Sequence, residues 1–323
     1  MSEPKNIKLS VIVCAYNVEK LLEQCLDSIL DQQVDFPMEI LVGDDGSTDK
    51  TRAIIAKYHD KYPQKITPIY QPLNLGYSAN FVSLLERGKG TFFAQVDADD
   101  YLIDNKKFAT QISILENDVT LSACFHNYQV IYEGKEGIHP IKPPFDKDTI
   151  VDYNYLLERP LGPGNTTIVR RSCLPNKIPN WIRNSANHMD YCMQTMVALK
   201  GNIYYLNRVM SSYRKHENNI TALVKRTFLS KKSLEINREL RKAFLANGHP
   251  EVKEKFNHII GAKAYQLFYT LLSLRKIFSA FKYLFIGMYY APDFRLKSHK
   301  DFMFVAAPEM FHKLKNRSFS AKS

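Results

Sequence analysis

The stretch LSVIVCAYNVEKLLEQCLDSILDQQVDFPMEILVGDD, residues 9–45, decides the fold class. Its two ends, residues 9–16 and 38–44, are near-continuous apolar runs of strand length, as expected for strands that are covered on both faces. Between them, apolar residues from Leu21 to Leu30 recur at helical spacing. The stretch therefore predicts a strand, a helix and a second strand, which together form one βαβ unit.

The same alternation continues along the chain. Strand and helix patterns that follow one another at this spacing predict a Rossmann-like α/β fold, with a mostly parallel twisted sheet flanked by helices. In such sheets ligands bind beyond the carboxyl ends of the strands. The further elements are a helix from about Thr48 to Lys61, a strand near ITPIYQ (66–71), a helix from about Tyr77 to Gly88 and the strand TFFAQV (91–96).

The residues that follow these strands are polar or turn-forming in every case: Tyr16 and Asn17, then DDGSTD (44–49), NLGYSAN (74–80) and DADD (97–100). Any one of them is an ordinary turn, but together they predict a binding edge. The chain has neither a G-x-x-x-x-G-K-[ST] P-loop nor a G-x-G-x-x-G dinucleotide motif after its first strand. A metal ion is therefore expected to handle any bound phosphates.

Three carboxylates, Asp97, Asp99 and Asp100, stand directly behind the apolar run 92–96. Like charges this close repel one another and are costly to desolvate, so a cation that neutralises them is expected. Oxygen ligands suit Mg²⁺ or Mn²⁺, which take their remaining ligands from water and substrate phosphates. The alternative is a solvated acidic turn, because an isolated Asp-x-Asp is a short motif.

The composition describes a globular protein with a basic end. The 323 residues, 45% of them hydrophobic, suffice for two domains or for one large domain with an appendage. Five scattered cysteines and an N-terminal apolar run too short for a signal peptide predict a cytoplasmic protein without disulfides. From Thr221 onward, 20 basic residues stand against 7 acidic ones, whereas residues 1–220 carry a net charge of −2. This distribution argues against a nucleic-acid partner.

Five motifs, in this order, resemble the family-2 nucleotide-sugar glycosyltransferases, which have the A-type glycosyltransferase fold. The resemblance covers roughly residues 8–220 and is specific as a set, although no single motif is. The motifs are LSVIVCAYNVEKLLEQCLDSILDQ, EILVGDDGSTDKT, NLGYSANFVSLLERGKGTFFAQVDADD, HMDYCMQTM and SSYRKHENNIT.

The resemblance assigns the donor side of a site. It implies that Tyr16, with Asn17 beside it, stacks on the nucleotide base and that Asp45 hydrogen-bonds the base, which suits the N–H of uracil and hence a UDP-sugar. It implies that Asp97 contacts the ribose or a metal-bound water, and that Asp99 holds the Mn²⁺ or Mg²⁺ that bridges the donor phosphates. Asp100 is equally able to cap the following turn.

The resemblance also assigns a base and further phosphate contacts. It implies that Asp190, on the first turn of a predicted helix, is the general base of an inverting displacement. His188 and Met189 precede Asp190, whereas the family often has Glu there. The resemblance also implies that His216 is a ligand of the metal or the phosphate, and that Arg214 contacts the phosphate. The structural alternatives are a helix N-terminal aspartate and a surface or packing histidine.

On the acceptor side, the segment LGPGNTTIVRRS (161–172) resembles the part of the family that lines the acceptor, with Asn165 and Thr166 as candidate contacts. Trp181, the only tryptophan, is either an acceptor platform or a residue that packs under its loop.

The predicted organisation has three parts. Residues 1–105 form a nucleotide-sugar-binding α/β half, residues 106–220 an acceptor-binding half of the same domain, and residues 221–323 a basic helical extension. Helical patterns run from about Phe228 to Ala246 and from about Glu251 through Tyr290. In the second pattern an apolar stripe either packs on the body or lies in an anionic membrane surface. Its members are Leu274, Ile277, Phe278, Phe281, Leu284, Phe285 and Met288, while Arg275, Ser279 and Lys282 face away.

Together these features predict a metal-dependent inverting glycosyltransferase of hexosyl or N-acetylhexosaminyl type. It would move a sugar from a UDP-sugar to a glycan or lipid-linked glycan, for a bacterial surface polysaccharide. Its expected location is cytoplasmic, peripheral on the inner face of the plasma membrane. The rivals are a nucleotidyltransferase, which also uses Asp-x-Asp and metal, and a basic membrane-associated adaptor with a degenerate nucleotide domain.

Overall fold

The computed structural model describes residues 6–134, 137–159, 161–216 and 226–292. The chain divides into two compact units, residues 1–223 and 224–323. In its described parts the first unit is a sheet flanked by helices, and the second is helical.

The first unit is built on one sheet of ten strands within the described residues. Its strands are β1 (Leu9–Ala15), β2 (Met38–Asp44), β3 (Ile66–Tyr70), β4 (Phe92–Gln95), β5 (Tyr101–Leu102), β6 (Leu121–Tyr132), β7 (His139–Pro140), β8 (Thr149–Val151), β9 (Thr167–Arg170) and β10 (Asn202–Lys215). Its helices are α1 (Leu22–Leu30), α2 (Thr51–Lys61), α3 (Tyr77–Leu85), α4 (Lys107–Asn117), α5 (Tyr153–Glu158), α6 (Asn180–Arg183) and α7 (Met189–Ala198).

The N-terminal part of the sheet is parallel, in the order β3, β2, β1 and β4. The helices α1, α2 and α3 connect these strands in sequence. This arrangement confirms the predicted βαβ alternation. It also brings the loops after β1, β2, β3 and β4 to the same edge of the sheet, because the carboxyl ends of parallel strands lie together.

The sheet then becomes mixed. The strand β9 lies between β4 and β6 and is antiparallel to both, while β6 and β10 are parallel to each other. The short strand β5 pairs antiparallel with β10 directly after the acidic loop. One sheet thus runs through both predicted halves of the catalytic domain, and the division at residue 105 stays a prediction.

The main core lies where α1 and α4 cover the sheet. Leu26 of α1 and Phe108 of α4 are fully buried in one cluster with Val11 and Val13 of β1. Complete burial of a side chain of this size stabilises the fold by roughly 1.5–3 kcal/mol. The strand ends that carry the polar loops are therefore fixed in a rigid support.

The second unit consists, where it is described, of α8 (Arg226–Ala246), α9 (Lys253–Ser273) and α10 (Ile277–Tyr290). The sequence predicted a continuous helical pattern from Glu251 through Tyr290, and this expectation was wrong. Arg275 has φ of 57°, and the N–H of Lys276 bonds the carbonyl of Leu271 at 2.9 Å. A left-handed residue of this kind ends a helix, so the chain restarts as α10.

Within residues 226–292 and the other described ranges, no helix is long and apolar enough to cross a membrane. Residues 221–225 and 293–323 of the predicted extension lie outside the described residues. Leu284 is partly buried, but most of the predicted apolar stripe is exposed. The exposed members are Leu274, Ile277, Phe278, Phe281, Phe285 and Met288.

Candidate active site

The loops after β1 and β2 are bonded to each other. The side-chain oxygen of Asn17 accepts the N–H of Thr48 at 2.8 Å, and the N–H of Asn17 donates to the Ser47 hydroxyl at 3.0 Å. Asn17 has φ of 52°, a conformation that asparagine tolerates better than most residues. Tyr16, the preceding residue, is 47% exposed. Its ring is available to stack on a flat ligand.

Asp45 anchors the loop that follows β3. Its carboxylate is nearly buried, at 3% exposure, and accepts the backbone N–H groups of Leu75 at 2.8 Å and Gly76 at 2.9 Å. Burial raises the pKa of Asp45, and the two N–H groups offset part of that rise. A carboxylate has about four acceptor positions, so hydrogen bonding to a base remains open and stays a prediction.

Asp97 and Asp99 have different partners. Asp97 accepts the hydroxyl of Tyr77 at 2.7 Å, whereas Asp99 Oδ2 lies 2.9 Å from Nε2 of His216, just past the end of β10. The hydrogen bond from His216 to Asp99 raises the pKa of that histidine. The structure therefore brings together two of the residues predicted to hold a metal, although they are 117 positions apart in the sequence.

The donor set formed by Asp99 and His216 fits a divalent cation that is shared with a substrate. A carboxylate oxygen and an imidazole nitrogen are both ligands for Mn²⁺, and one or two protein ligands leave room for phosphate oxygens and water. Among the described residues, no three His, Cys, Asp or Glu side chains are grouped as a metal site.

Asp100, the third carboxylate, joins separate segments of the chain. It is buried, and it accepts the amide of Asn165 at 2.7 Å and the backbone N–H of Arg214 at 2.8 Å. Burial raises the pKa of Asp100, followed by the charges of Asp99 and Asp97. These contacts with distant segments point to a structural role, and capping of the following turn stays a prediction.

Asp190 lies in the first turn of α7, where the sequence predicted it. Its Oδ1 accepts the side-chain amide of Gln95 at 3.0 Å, and its Oδ2 accepts the backbone N–H of Gly164 at 3.1 Å. Burial raises the pKa of Asp190, while the two hydrogen bonds lower it. The carboxylate is thus held through both oxygens, with lone pairs left for a further partner.

The cluster is electrostatically strained without a cation. Burial, then the charge of Asp190 and then that of Asp99, raise the pKa of Asp97 to about 8. Each of these causes opposes the ionised carboxylate, so a nearby positive charge would lower this pKa again. The electrostatics agree with the expectation, drawn from the sequence, that the acidic motif serves a cation.

Two of the predicted acceptor contacts are corrected by the structure. Asn165 and Thr166 are fully buried, so their side chains do not face an acceptor. Asn165 instead bonds Asp100, and the Thr166 hydroxyl donates to the carbonyl of Pro163 at 2.8 Å. The side-chain amide of Asn165 also donates to the carbonyl of Ser212 and accepts the hydroxyl of Ser211, both on β10.

Trp181 and Arg214 are partly buried. Trp181 lies on the short helix α6, and its contact with an acceptor stays a prediction. The guanidinium of Arg214 donates to Gln24 at 2.6 Å and lies 5.4 Å from the ring centre of Tyr101. A phosphate contact by Arg214 stays a prediction as well.

Three residues of the site were missed from the sequence. Gln95 ends β4 and reads as an interior strand residue, Tyr77 begins α3, and Gly164 sits in a loop. The available signals were a polar Gln inside the apolar run 92–96 and the pair of glycines in LGPGN (161–165).

A largely parallel sheet whose carboxyl edge carries an Asp-x-Asp loop, an exposed aromatic residue and a fixed aspartate defines an A-type glycosyltransferase fold. The matching sequence family is named glycosyl transferase family 2, and its model covers residues 10–175. The chain belongs to this family.

One individual relative matches about two thirds of the chain. An uncharacterized protein of Mycobacterium tuberculosis (strain H37Rv) is 33% identical over 215 residues, which cover 66% of this chain and 60% of that protein. The chain therefore matches about three fifths of the length of this curated relative.

Two solved structures share the fold. S. aureus TarS 1–349 in complex with UDP-GlcNAc has a TM-score of 0.59 and 17% identity, and the match covers 88% of this chain and 92% of that one. The mannosyltransferase PcManGT from Pyrobaculum calidifontis, in complex with GDP-Man and Mn²⁺, has a TM-score of 0.52 and 18% identity, over 95% and 90% of the two chains.

Proposed function

We propose that the protein is a metal-dependent inverting glycosyltransferase that moves a sugar from a UDP-sugar to a hydroxyl of a glycan or lipid-linked glycan. The observation that carries this proposal is the convergence of the Asp99–His216 pair and the fixed Asp190 at the carboxyl edge of the sheet. One amide, that of Gln95, contacts both Asp97 and Asp190, so the donor side and the base side adjoin.

The donor would bind along the loops after β1, β2 and β4. Tyr16 would stack on the base, supported by Asn17, and Asp45 would accept the uracil N–H. Asp99 and His216 would hold the Mn²⁺ or Mg²⁺, which stabilises the charge that develops on the departing diphosphate. Arg214 would add a positive charge for the phosphates.

Asp190 would act as the base. As the acceptor oxygen forms its bond to C1 of the sugar, the bond from C1 to the phosphate oxygen breaks and UDP leaves. The hydroxyl proton goes to the carboxylate of Asp190, whose pKa is raised by burial, which favours proton uptake. Attack from the face opposite the leaving group inverts the anomeric centre.

The proposed donor class rests on the uracil N–H that Asp45 would accept and on the two solved structures with the same fold. TarS was solved with UDP-GlcNAc, which supports a UDP-linked hexose or N-acetylhexosamine, whereas the mannosyltransferase was solved with GDP-Man. We propose a role in bacterial surface polysaccharide synthesis on the cytoplasmic side of the membrane.

The deciding experiment is nucleotide release from a panel of UDP- and GDP-sugars, with Mn²⁺, Mg²⁺ or EDTA. We expect UDP release that EDTA abolishes and that an added glycan acceptor accelerates. In a parallel reaction with UTP and a sugar 1-phosphate, release of pyrophosphate would support the nucleotidyltransferase instead. Nucleotide binding without any turnover would support the adaptor, and full activity in EDTA would contradict the metal mechanism.

We also propose that α10 attaches the protein to an anionic membrane surface. The side chains of Phe278, Tyr289 and Phe285 are 96%, 81% and 66% exposed, and Lys276 and Lys282 beside them are exposed as well. An aromatic helix face with lysines around it suits the interface of an anionic bilayer, where each lysine contributes about 1 kcal/mol.

Sedimentation with vesicles tests this attachment. The protein should bind phosphatidylglycerol vesicles at low salt, bind less at high salt and bind phosphatidylcholine vesicles weakly, because salt screens surface charge. Replacing Phe278 and Phe285 by serine should reduce binding. The same change at Phe228, which is 46% exposed on α8, is the matched control. Absence of binding at low salt would contradict the attachment.

A further inference from the structure

Gln95 lies between the two carboxylates on which the proposed reaction depends. We infer that it is a positioning residue that fixes the carboxylate of Asp190 and ties it to Asp97, so that base and donor site keep one geometry. This inference rests on the proposed function, because it assigns a supporting residue to the same site.

The side-chain nitrogen of Gln95 carries two hydrogens but lies near four oxygen atoms. Its Nε2 lies 3.0 Å from Asp190 Oδ1, 2.5 Å from the hydroxyl of Tyr77, and 3.3 and 3.5 Å from the two oxygens of Asp97. The nitrogen of the amide faces these oxygens, because an amide N–H donates a hydrogen bond and a carboxylate oxygen accepts it. The orientation of the amide is thus assigned from its hydrogen-bond partners.

The two N–H groups of the Gln95 amide are enough to connect both carboxylates through hydrogen bonds. One N–H donates to Asp190, and the other donates to the Tyr77 hydroxyl, which in turn donates to Asp97 Oδ1 at 2.7 Å. A single neutral side chain thus supports two carboxylates that would otherwise repel each other. Among the described residues, a side chain without this amide would leave Asp190 with the N–H of Gly164 as its remaining hydrogen-bond donor.

Gly164 shows independently that the fold makes room for this amide. A Cβ at Gly164 would lie 1.9 Å from Nε2, 2.1 Å from Cδ and 2.6 Å from Oε1 of Gln95. Its three nearest neighbours are thus all atoms of the Gln95 side chain. The turn that donates a backbone N–H to Asp190 consequently has no room for a side chain at residue 164 while the Gln95 amide keeps this position.

The kinetic test compares Gln95→Leu with Gln71→Leu. Gln71 is a matched control, because it is also buried and its amide makes two hydrogen bonds, to Asn80 and Ser83, away from the carboxylates. We expect Gln95→Leu to lower kcat by about 10- to 100-fold, since misplacing a reacting group by 1 Å costs about 10²-fold. The donor KM should change by less than about threefold, which separates positioning from binding.

A double-mutant cycle tests the geometry by unfolding as well as by activity. Gly164→Ala should reduce kcat and the free energy of unfolding, because its methyl group displaces the amide. In a Gln95→Ala background the space is open, so the same change should have little further effect on either quantity. Gly164→Ala also replaces Gln95→Leu in the kinetic test if the leucine variant does not fold.

The outcomes separate the two proposals. If the wild type releases no nucleotide from any sugar donor, the proposed function fails, and the unfolding cycle still decides whether Gln95 and Gly164 interlock. With an active wild type, an unchanged kcat in Gln95→Leu overturns the inference. A higher donor KM with normal kcat also overturns it, because Gln95 would then serve donor binding through Asp97. Additive effects in the cycle overturn the interlocked geometry.

Discussion

Replacing Lys107 with methionine should stabilise the first unit, in a way that depends on pH. Lys107 lies in the first turn of α4 and is fully buried. Among the described residues, its Nζ finds no hydrogen-bond partner, although it lies 4.8 Å from the centre of the Phe108 ring. Burial lowers the pKa of Lys107 from 10.5 to about 7, and Cys124 and His126 on β6 are the titratable groups that interact with it.

The direction of the pH dependence of stability follows from how many protons the folded and the unfolded chain bind. Below pH 7 the lysine is charged in both the folded and the unfolded chain, and the folded state carries the whole cost of about 5 kcal/mol, at about 1.4 kcal/mol per pKa unit. Between pH 7 and 10.5 only the unfolded chain keeps the proton, so the wild type gains stability as pH rises. At pH 9 the remaining cost is about 2 kcal/mol. Methionine has a similar length and no charge, so its advantage should be largest below pH 7.

Thermal unfolding at pH 6 and pH 9 measures this difference. In a domain of this size about 1 kcal/mol shifts Tm by about 2–4 °C, so Lys107→Met should raise Tm clearly at pH 6 and less at pH 9. The control is Lys106→Met, at the exposed position next to it. Equal stabilisation of Lys107→Met at both pH values would contradict the lowered pKa of Lys107. A destabilised variant would show that buried water already satisfies Nζ, together with the unpartnered Gln111 Oε1 and His126 Nε2.

Three further changes probe the site and its support. Asp99→Asn should abolish transfer and remove the metal-dependent part of UDP affinity, as measured by calorimetry with and without Mn²⁺. Asp190→Asn should leave donor affinity nearly intact and lower turnover by about 10²- to 10⁴-fold, and loss of donor affinity would contradict its role as base. Arg52→Ala should cost about 2 kcal/mol in urea unfolding, because the buried Asp44 loses its partner at 2.7 Å. A cost under about 0.5 kcal/mol would show that water replaces the guanidinium.

The parallel half of the sheet was predictable because its signals are local. The runs 9–16 and 38–44 are apolar over a strand length, and the carboxyl-end rule then places their loops at one edge. The antiparallel strand β9 was not predicted, because its position between β4 and β6 depends on pairing with residues far away in the sequence.

In the site, too, local signals were predictable and contacts between distant segments were not. Asp99 and Asp190 stand at the ends of predicted elements, and the family resemblance assigned their roles, which stay predictions. The burial of Asn165 depends on Asp100 and β10, which approach only in the folded chain. Likewise, the break at Arg275 interrupts a pattern whose apolar spacing continues across it, since a φ of 57° at an arginine leaves no mark in hydropathy.

The buried carboxylate of Asp100 has a consequence for biosynthesis. Its two bonds join residues separated by 65 and 114 positions, so the acidic loop gains its final shape only when β10 is in place. A growing chain that ends before β10 would contain Asp97, Asp99 and Asp190, but it would lack the strand whose backbone N–H at Arg214 holds Asp100. Contacts this distant in sequence form late because they close long loops. The acidic loop therefore reaches its final shape only near the end of the synthesis of the first unit.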